Sequence, residues 1–84
     1  MLTPDRPPLP ELEDLAARVL GVARSKIGPD AGPKTLREWN SLRHVALITA
    51  VEEAYGVEFT ISDVIEINSL ADLRAGLRAK GRAV

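Results

Sequence analysis

The chain contains no cysteine, and it holds only one residue each of histidine, tryptophan, tyrosine, phenylalanine and methionine. Without thiols there is neither a disulfide framework nor a thiolate metal site, so a small core has to be held by packing alone. One histidine among scattered carboxylates offers no metal-ligand spacing. Neither sign of charge dominates: 11 Lys and Arg stand against 12 Asp and Glu, for a net charge of −1. That balance argues against a nucleic-acid binder living on phosphate contacts. Apolar runs last only a few residues, far short of a membrane span, and Met1-Leu2-Thr3-Pro4-Asp5-Arg6 lacks the charged-then-apolar order of a signal peptide. The expectation is a cytoplasmic protein that binds neither nucleic acid nor membrane.

What is present, 84 residues that are 45% apolar and 27% charged, suits one small globular domain that folds unaided as a monomer. Its core is expected over about residues 9–79, with 1–8 and 80–84 flexible. Basic residues are missing from a long interval. Between Arg43 and Arg74 there is no Lys or Arg, yet Glu52, Glu53, Glu58, Asp63, Glu66 and Asp72 all fall there. This segment should present an acidic surface to a basic partner.

Leu12, Leu15, Ala16, Val19 and Leu20 recur at helical spacing between Pro10 and Gly21, which predicts a first helix. From Ser25 to Glu38 the periodicity fails, and Gly28-Pro29 and Gly32-Pro33 punctuate a long connection of a kind that usually has a task. Leu36 and Trp39 are expected to pin its end to the core, and Thr35 to Glu38 has capping-box spacing. Ser41 to Tyr55 reads as the second helix, with Asn40 as N-cap and Gly56 at the left-handed C-cap position.

At about 100° per residue, Leu47, Ile48, Val51, Ala54 and Tyr55 share one face of that helix. Leu42, Val45, Ala46 and Thr49 lie opposite, with Glu52 and Glu53, as a small apolar patch rimmed by carboxylates and suited to transient docking. Phe59 is expected to plug the core. Thr60 to Asp63 has the spacing of a capping box and opens a short third helix; Ser69 to Asp72 repeats it before a last helix with the stripe Leu70, Leu73 and Leu77. Arg74, Arg78, Lys80 and Arg82 suit the negative end of that helix, ahead of a disordered tail.

Ser41 is the candidate functional residue. It presents a hydroxyl at the positive end of a helix, a setting suited to carrying a phosphodiester. The tripeptide Asn-Ser-Leu is weak evidence alone, because Asn68-Ser69-Leu70 repeats it where capping explains it. Catalysis by Ser41 would need a base. The only histidine, His44, lies three residues on and points towards the core side, with no acid placed to orient it, so a packed histidine is expected and not an enzyme.

In its context, with the long loop, Trp39, a helix of fifteen residues and the ending Glu52-Glu53-Ala54-Tyr55-Gly56-Val57-Glu58-Phe59, the Trp39-Asn40-Ser41-Leu42 segment resembles the acyl carrier protein family from about Leu12 to Leu77. The resemblance implies an all-α fold, a small four-helix bundle with a long loop between helices 1 and 2 and a short third helix. It implies that Ser41 receives a 4′-phosphopantetheine arm from coenzyme A by way of a phosphopantetheinyl transferase. Acyl or aminoacyl groups would then ride on its thiol as thioesters, loaded by a ligase and passed to a downstream synthase or transferase. Asn40, Leu42, Val45, Ala46, Thr49, Glu52 and Glu53 would occupy the partner-recognition helix. Asn40 stands where the family usually has aspartate, and Arg43 adds a positive charge nearby. Both weaken attraction to a basic transferase and imply a dedicated transferase or a narrower partner set. The Trp39-containing motif looks more like stand-alone carriers of specialised pathways. The alternative is an unmodified interaction module that uses the acidic face of the second helix.

Overall fold

Residues 10–82 are described by the computed structural model, and every regular element among them is helical. The expectations for residues 1–8 and for 83 and 84 lie outside the described residues. Four α-helices follow in order: α1 Leu12–Leu20, α2 Ser41–Tyr55, α3 Ile61–Glu66 and α4 Leu70–Ala79, with one 3-10 turn at Arg24–Lys26 in the α1–α2 connection. The fold is the four-helix arrangement read from the sequence, with its long loop and short third helix.

Apolar spacing forms the core. Leu12, Leu15, Ala16, Ala17 and Leu20 of α1 meet Leu47, Ile48, Val51 and Tyr55 of α2 and Leu70, Leu73 and Leu77 of α4. The core faces expected from periodicity on α1, α2 and α4 are the faces that pack, and Ala50 and Ala54 lie half-buried against the same core. Gly56 ends α2 at φ 66°, and its N–H donates to Glu52 O, a left-handed cap that glycine adopts without Cβ strain.

The long connection is fastened at several points. Ile27, Ala31, Leu36 and Trp39 are buried, and the Leu70 N–H donates to Ala31 O at 2.8 Å, tying the loop to the start of α4. Gly32 is required by close approach, since a Cβ there would stand 2.6 Å from Asn68 O. The Thr35 hydroxyl turns back to Gly32, accepting from its N–H at 3.0 Å and donating to its carbonyl at 3.2 Å. The turn therefore closes around Gly32–Leu36, where the sequence suggested a cap reaching forward to Glu38.

Three further expectations are corrected. Phe59 is half-buried, not a core plug; it lies against Gly76 with the Lys80 ammonium 5.2 Å from its ring centre. Arg74 reaches across to Glu13 of α1 at 2.7 Å, where it was expected to serve its own helix end. Arg82, also expected at the end of its own helix, donates from Nε to Tyr55 O at 2.6 Å and from Nη2 to Gly56 O at 3.3 Å, so it caps α2. Each guanidinium goes where carbonyls or a carboxylate from another helix lack a partner.

Candidate functional site

The site is built by the start of α2. The Asn40 side chain accepts from the Arg43 N–H at 2.9 Å, and the Asn40 carbonyl receives the His44 N–H at 2.8 Å, which opens the helical ladder. Ser41 is thereby the first residue inside the helix, with its side chain exposed. The amides of Ser41 and Leu42 belong to the first turn, where no intrahelical acceptor exists, and they carry the positive end of the helix dipole. An anionic group on the Ser41 oxygen would sit among favourable donors.

Beside Ser41 opens a cavity of about 490 Å³, lined by Trp39, His44 and Val45 on the α2 side and by Val64, Ile65 and Asn68 from α3 and the segment after it. Two of its lining rings are hydrogen-bonded to one another. The Trp39 indole N–H donates to His44 Nδ1 at 2.9 Å, the two rings lying 6.1 Å apart and 29° from parallel. With Nδ1 accepting, the proton of the neutral imidazole belongs on Nε2, which donates to Val64 O at 2.9 Å. Neither ring nitrogen is left to take a proton from Ser41. Trp39 is 1% exposed, an anchor and not a surface contact.

The expected docking face separates into engaged and exposed residues. Leu42 is 78% and Val45 58% exposed, and Ala46, Thr49 and Glu53 are exposed as well. Glu52 departs from that group: half-buried, its carboxylate accepts from the Phe59 N–H at 2.8 Å and braces the turn after α2. Arg43, expected to change the charge beside Ser41, turns the other way. Its Nη1 donates to Leu20 O at 2.6 Å and to Val19 O at 3.3 Å, satisfying the last carbonyls of α1.

The sequence reading missed two apolar contributors, Ile61 at 80% and Ile65 at 70% exposure on α3. Ile65 lines the same cavity as Val45, so the patch runs from α2 on to α3. Their spacing of four residues in so short a helix was the available signal. The helix itself is set by the capping box expected of it: Thr60 Oγ1 accepts from the Asp63 N–H at 3.0 Å, and Asp63 Oδ2 accepts from the Thr60 N–H at 3.0 Å. The Thr60 N–H holds the Asp63 carboxyl below its ordinary range, with Lys80 3.7 Å away contributing less.

Among the described residues no helix is long and apolar enough to cross a membrane, and no group of side chains is arranged to hold a metal ion. No curated protein matches the chain. A family model described as a phosphopantetheine attachment site matches residues 10–77.

Proposed function

The chain belongs to the phosphopantetheine attachment-site family, and from that premise we propose that Ser41 is the residue bearing its covalent 4′-phosphopantetheine. The family makes the chain a non-catalytic carrier domain that works with a phosphopantetheinyl transferase and client enzymes. When bound, the arm supplies a thiol, which a chain without cysteine otherwise lacks. On that thiol the domain carries acyl or aminoacyl groups as thioesters in the cytoplasm, as a monomer.

The observation that supports Ser41 is its placement: an exposed hydroxyl at the first position of a fifteen-residue helix, over a largely apolar cavity. The first-turn amides suit the phosphodiester, and the apolar side chains of Val45, Val64 and Ile65 offer the rest of the arm a surface beside Ser41. Ala50 and Ala54 are used in packing against the core, so their small size serves helix contact. Asn40, Leu42, Val45, Ala46, Thr49 and Glu53 form the surface on which the transferase, the loading ligase and the downstream synthase or transferase dock. Ile61 and Ile65 extend it, and Glu52 acts through the turn that it braces.

The test is intact-protein mass spectrometry after incubation with coenzyme A, magnesium and a broad-specificity transferase, beside Ser41→Ala. One phosphopantetheine addition, absent from the variant, is expected. An addition that persists in Ser41→Ala would place the attachment elsewhere, and no addition to the folded wild type by several transferases would favour an unmodified interaction module.

A further inference from the structure

Helix α3 forms one wall of the cavity beside Ser41, yet it is weakly held. None of its six residues is fully buried, and of its apolar side chains Val64 alone packs, half-buried, against the core. Its capping box is internal, and its ion pair to Lys80, at 3.7 Å, is exposed. The last four carbonyls of a helix have no intrahelical partner, and Val64, third from the end of α3, carries one of them. The natural donor, the Asn68 N–H, is diverted to Asp72 Oδ2 at 2.9 Å. The bond that fills this vacancy comes from the opposite wall: His44 Nε2–H to Val64 O at 2.9 Å, with His44 itself held by Trp39 at the end of the long loop.

We propose that His44 is a positioning residue that locks α3 to α2 and thereby sets the width of the groove beside Ser41. The part of the proposal that concerns the arm rests on the reading of Ser41 above. The imidazole suits this role because one ring accepts from the loop and donates to α3 at fixed spacing. With it in place, a group carried on Ser41 meets a preformed wall; without it, α3 moves away from α2 as a unit while the Leu-rich core stays closed.

Two variants separate the two bonds. His44→Asn places an amide oxygen near the Nδ1 position, keeps the Trp39 bond and loses Val64. His44→Gln reaches Val64 O and leaves the buried indole N–H without its acceptor. Losing one hydrogen bond should speed amide exchange in α3, read at Val64 and Ile67, by about fivefold to tenfold in His44→Asn, with Leu73 of α4 unchanged. His44→Gln should stay within about twofold of wild type at the same amides although its thermal midpoint is the lower of the two, because an orphaned buried donor costs more globally. A merely structural role predicts the reverse, with α3 loosening in step with global stability.

Conversion of the wild type to the phosphopantetheinylated form should shift the Val64 and Ile65 amide resonances, a response lost in His44→Asn and kept in His44→Gln. Unchanged α3 exchange in His44→Asn, or equal acceleration in both variants, would overturn the proposal. So would a modified wild type whose α3 resonances do not respond. Failure of Ser41 to accept the arm would count against the reading of Ser41, while the exchange measurements on unmodified protein still decide the role of His44.

Discussion

The same three residues, Asn-Ser-Leu, open two helices of this chain and serve opposite purposes. In Asn40-Ser41-Leu42 the asparagine is the N-cap, Ser41 is the first helical residue, and Leu42 is 78% exposed. In Asn68-Ser69-Leu70 the register is one residue later: Ser69 caps by accepting from the Asp72 N–H at 3.1 Å, and Leu70 is fully buried. The residue three places on decides between them. Asp72 follows Ser69 at capping-box distance and also takes the Asn68 N–H, so the serine is drawn into the cap. Arg43 follows Asn40 at that distance, and its side chain is occupied at the end of α1, which leaves Asn40 to cap and Ser41 to face solvent. Here the capping duty falls to the preceding asparagine, and the serine is left exposed at the first helical position.

The largest break in the comparison is expected in modification. Ser41→Ala should abolish phosphopantetheine addition while shifting the thermal midpoint little, because Asn40 keeps the cap. Ser69→Ala should leave addition intact. Mass spectrometry and thermal unfolding on both variants check this, and unfolding of Ser41→Ala would mean that the hydroxyl is structural.

Next in size is the pair of leucines. Leu70→Ala removes a fully buried side chain at the junction of the loop and α4 and should cost about 2–5 kcal/mol, a large fraction of what a domain this small has in reserve. Leu42→Ala should change stability by less than about 0.5 kcal/mol and instead raise the transferase KM. Urea unfolding with steady-state loading separates the two; equal destabilisation would mean that Leu42 is not the exposed member of the pair.

The caps come third. Ser69→Ala and Asn40→Ala each remove a side-chain acceptor from a first-turn amide and should each cost about 1 kcal/mol. For a domain of this size that lowers the thermal midpoint by about 4–8 °C. Asn40→Asp should preserve stability, since aspartate caps equally well, and should speed loading if the transferase surface is basic. A capping loss at Ser69 alone would move the N-cap of α2 away from Asn40.

Much of this arrangement is legible in the sequence because it is local. Apolar spacing marks the core faces of α1, α2 and α4, Thr60 to Asp63 marks the cap of α3, and Asn40 marks the start of the helix that carries Ser41. What is not legible depends on distant partners. Arg43 and Arg82 read as charges belonging to their own surroundings, yet each turns to the carbonyl end of another helix, 23 and 27 residues away. Glu52 has the spacing of an exposed acid, but the turn after Gly56 brings the Phe59 N–H to it. Gly32 looks like loop punctuation until Asn68 O is found against it. Side chains committed to backbone groups leave no periodic trace.

The smallest effect expected distinguishes how the two helices are fastened to α1. The start of α2 is tied by Arg43 to backbone carbonyls, which do not titrate in this range, whereas α4 is tied by Arg74 to the Glu13 carboxylate at 2.7 Å. The Arg74 hydrogen bond holds the Glu13 carboxyl below its ordinary value, against the opposing effect of partial burial. Because the folded value is the depressed one, this stabilisation is present above the ordinary Glu range and is lost as pH falls through the folded value. The pair is partly solvated, so the loss should stay below about 1 kcal/mol. Wild type should therefore lose more stability than Glu13→Gln between about pH 6 and about pH 3, while Arg43→Gln should show the same acid slope as wild type. Parallel slopes for wild type and Glu13→Gln would mean that the ion pair contributes nothing to holding α4, and that its fastening to α1 is apolar packing alone.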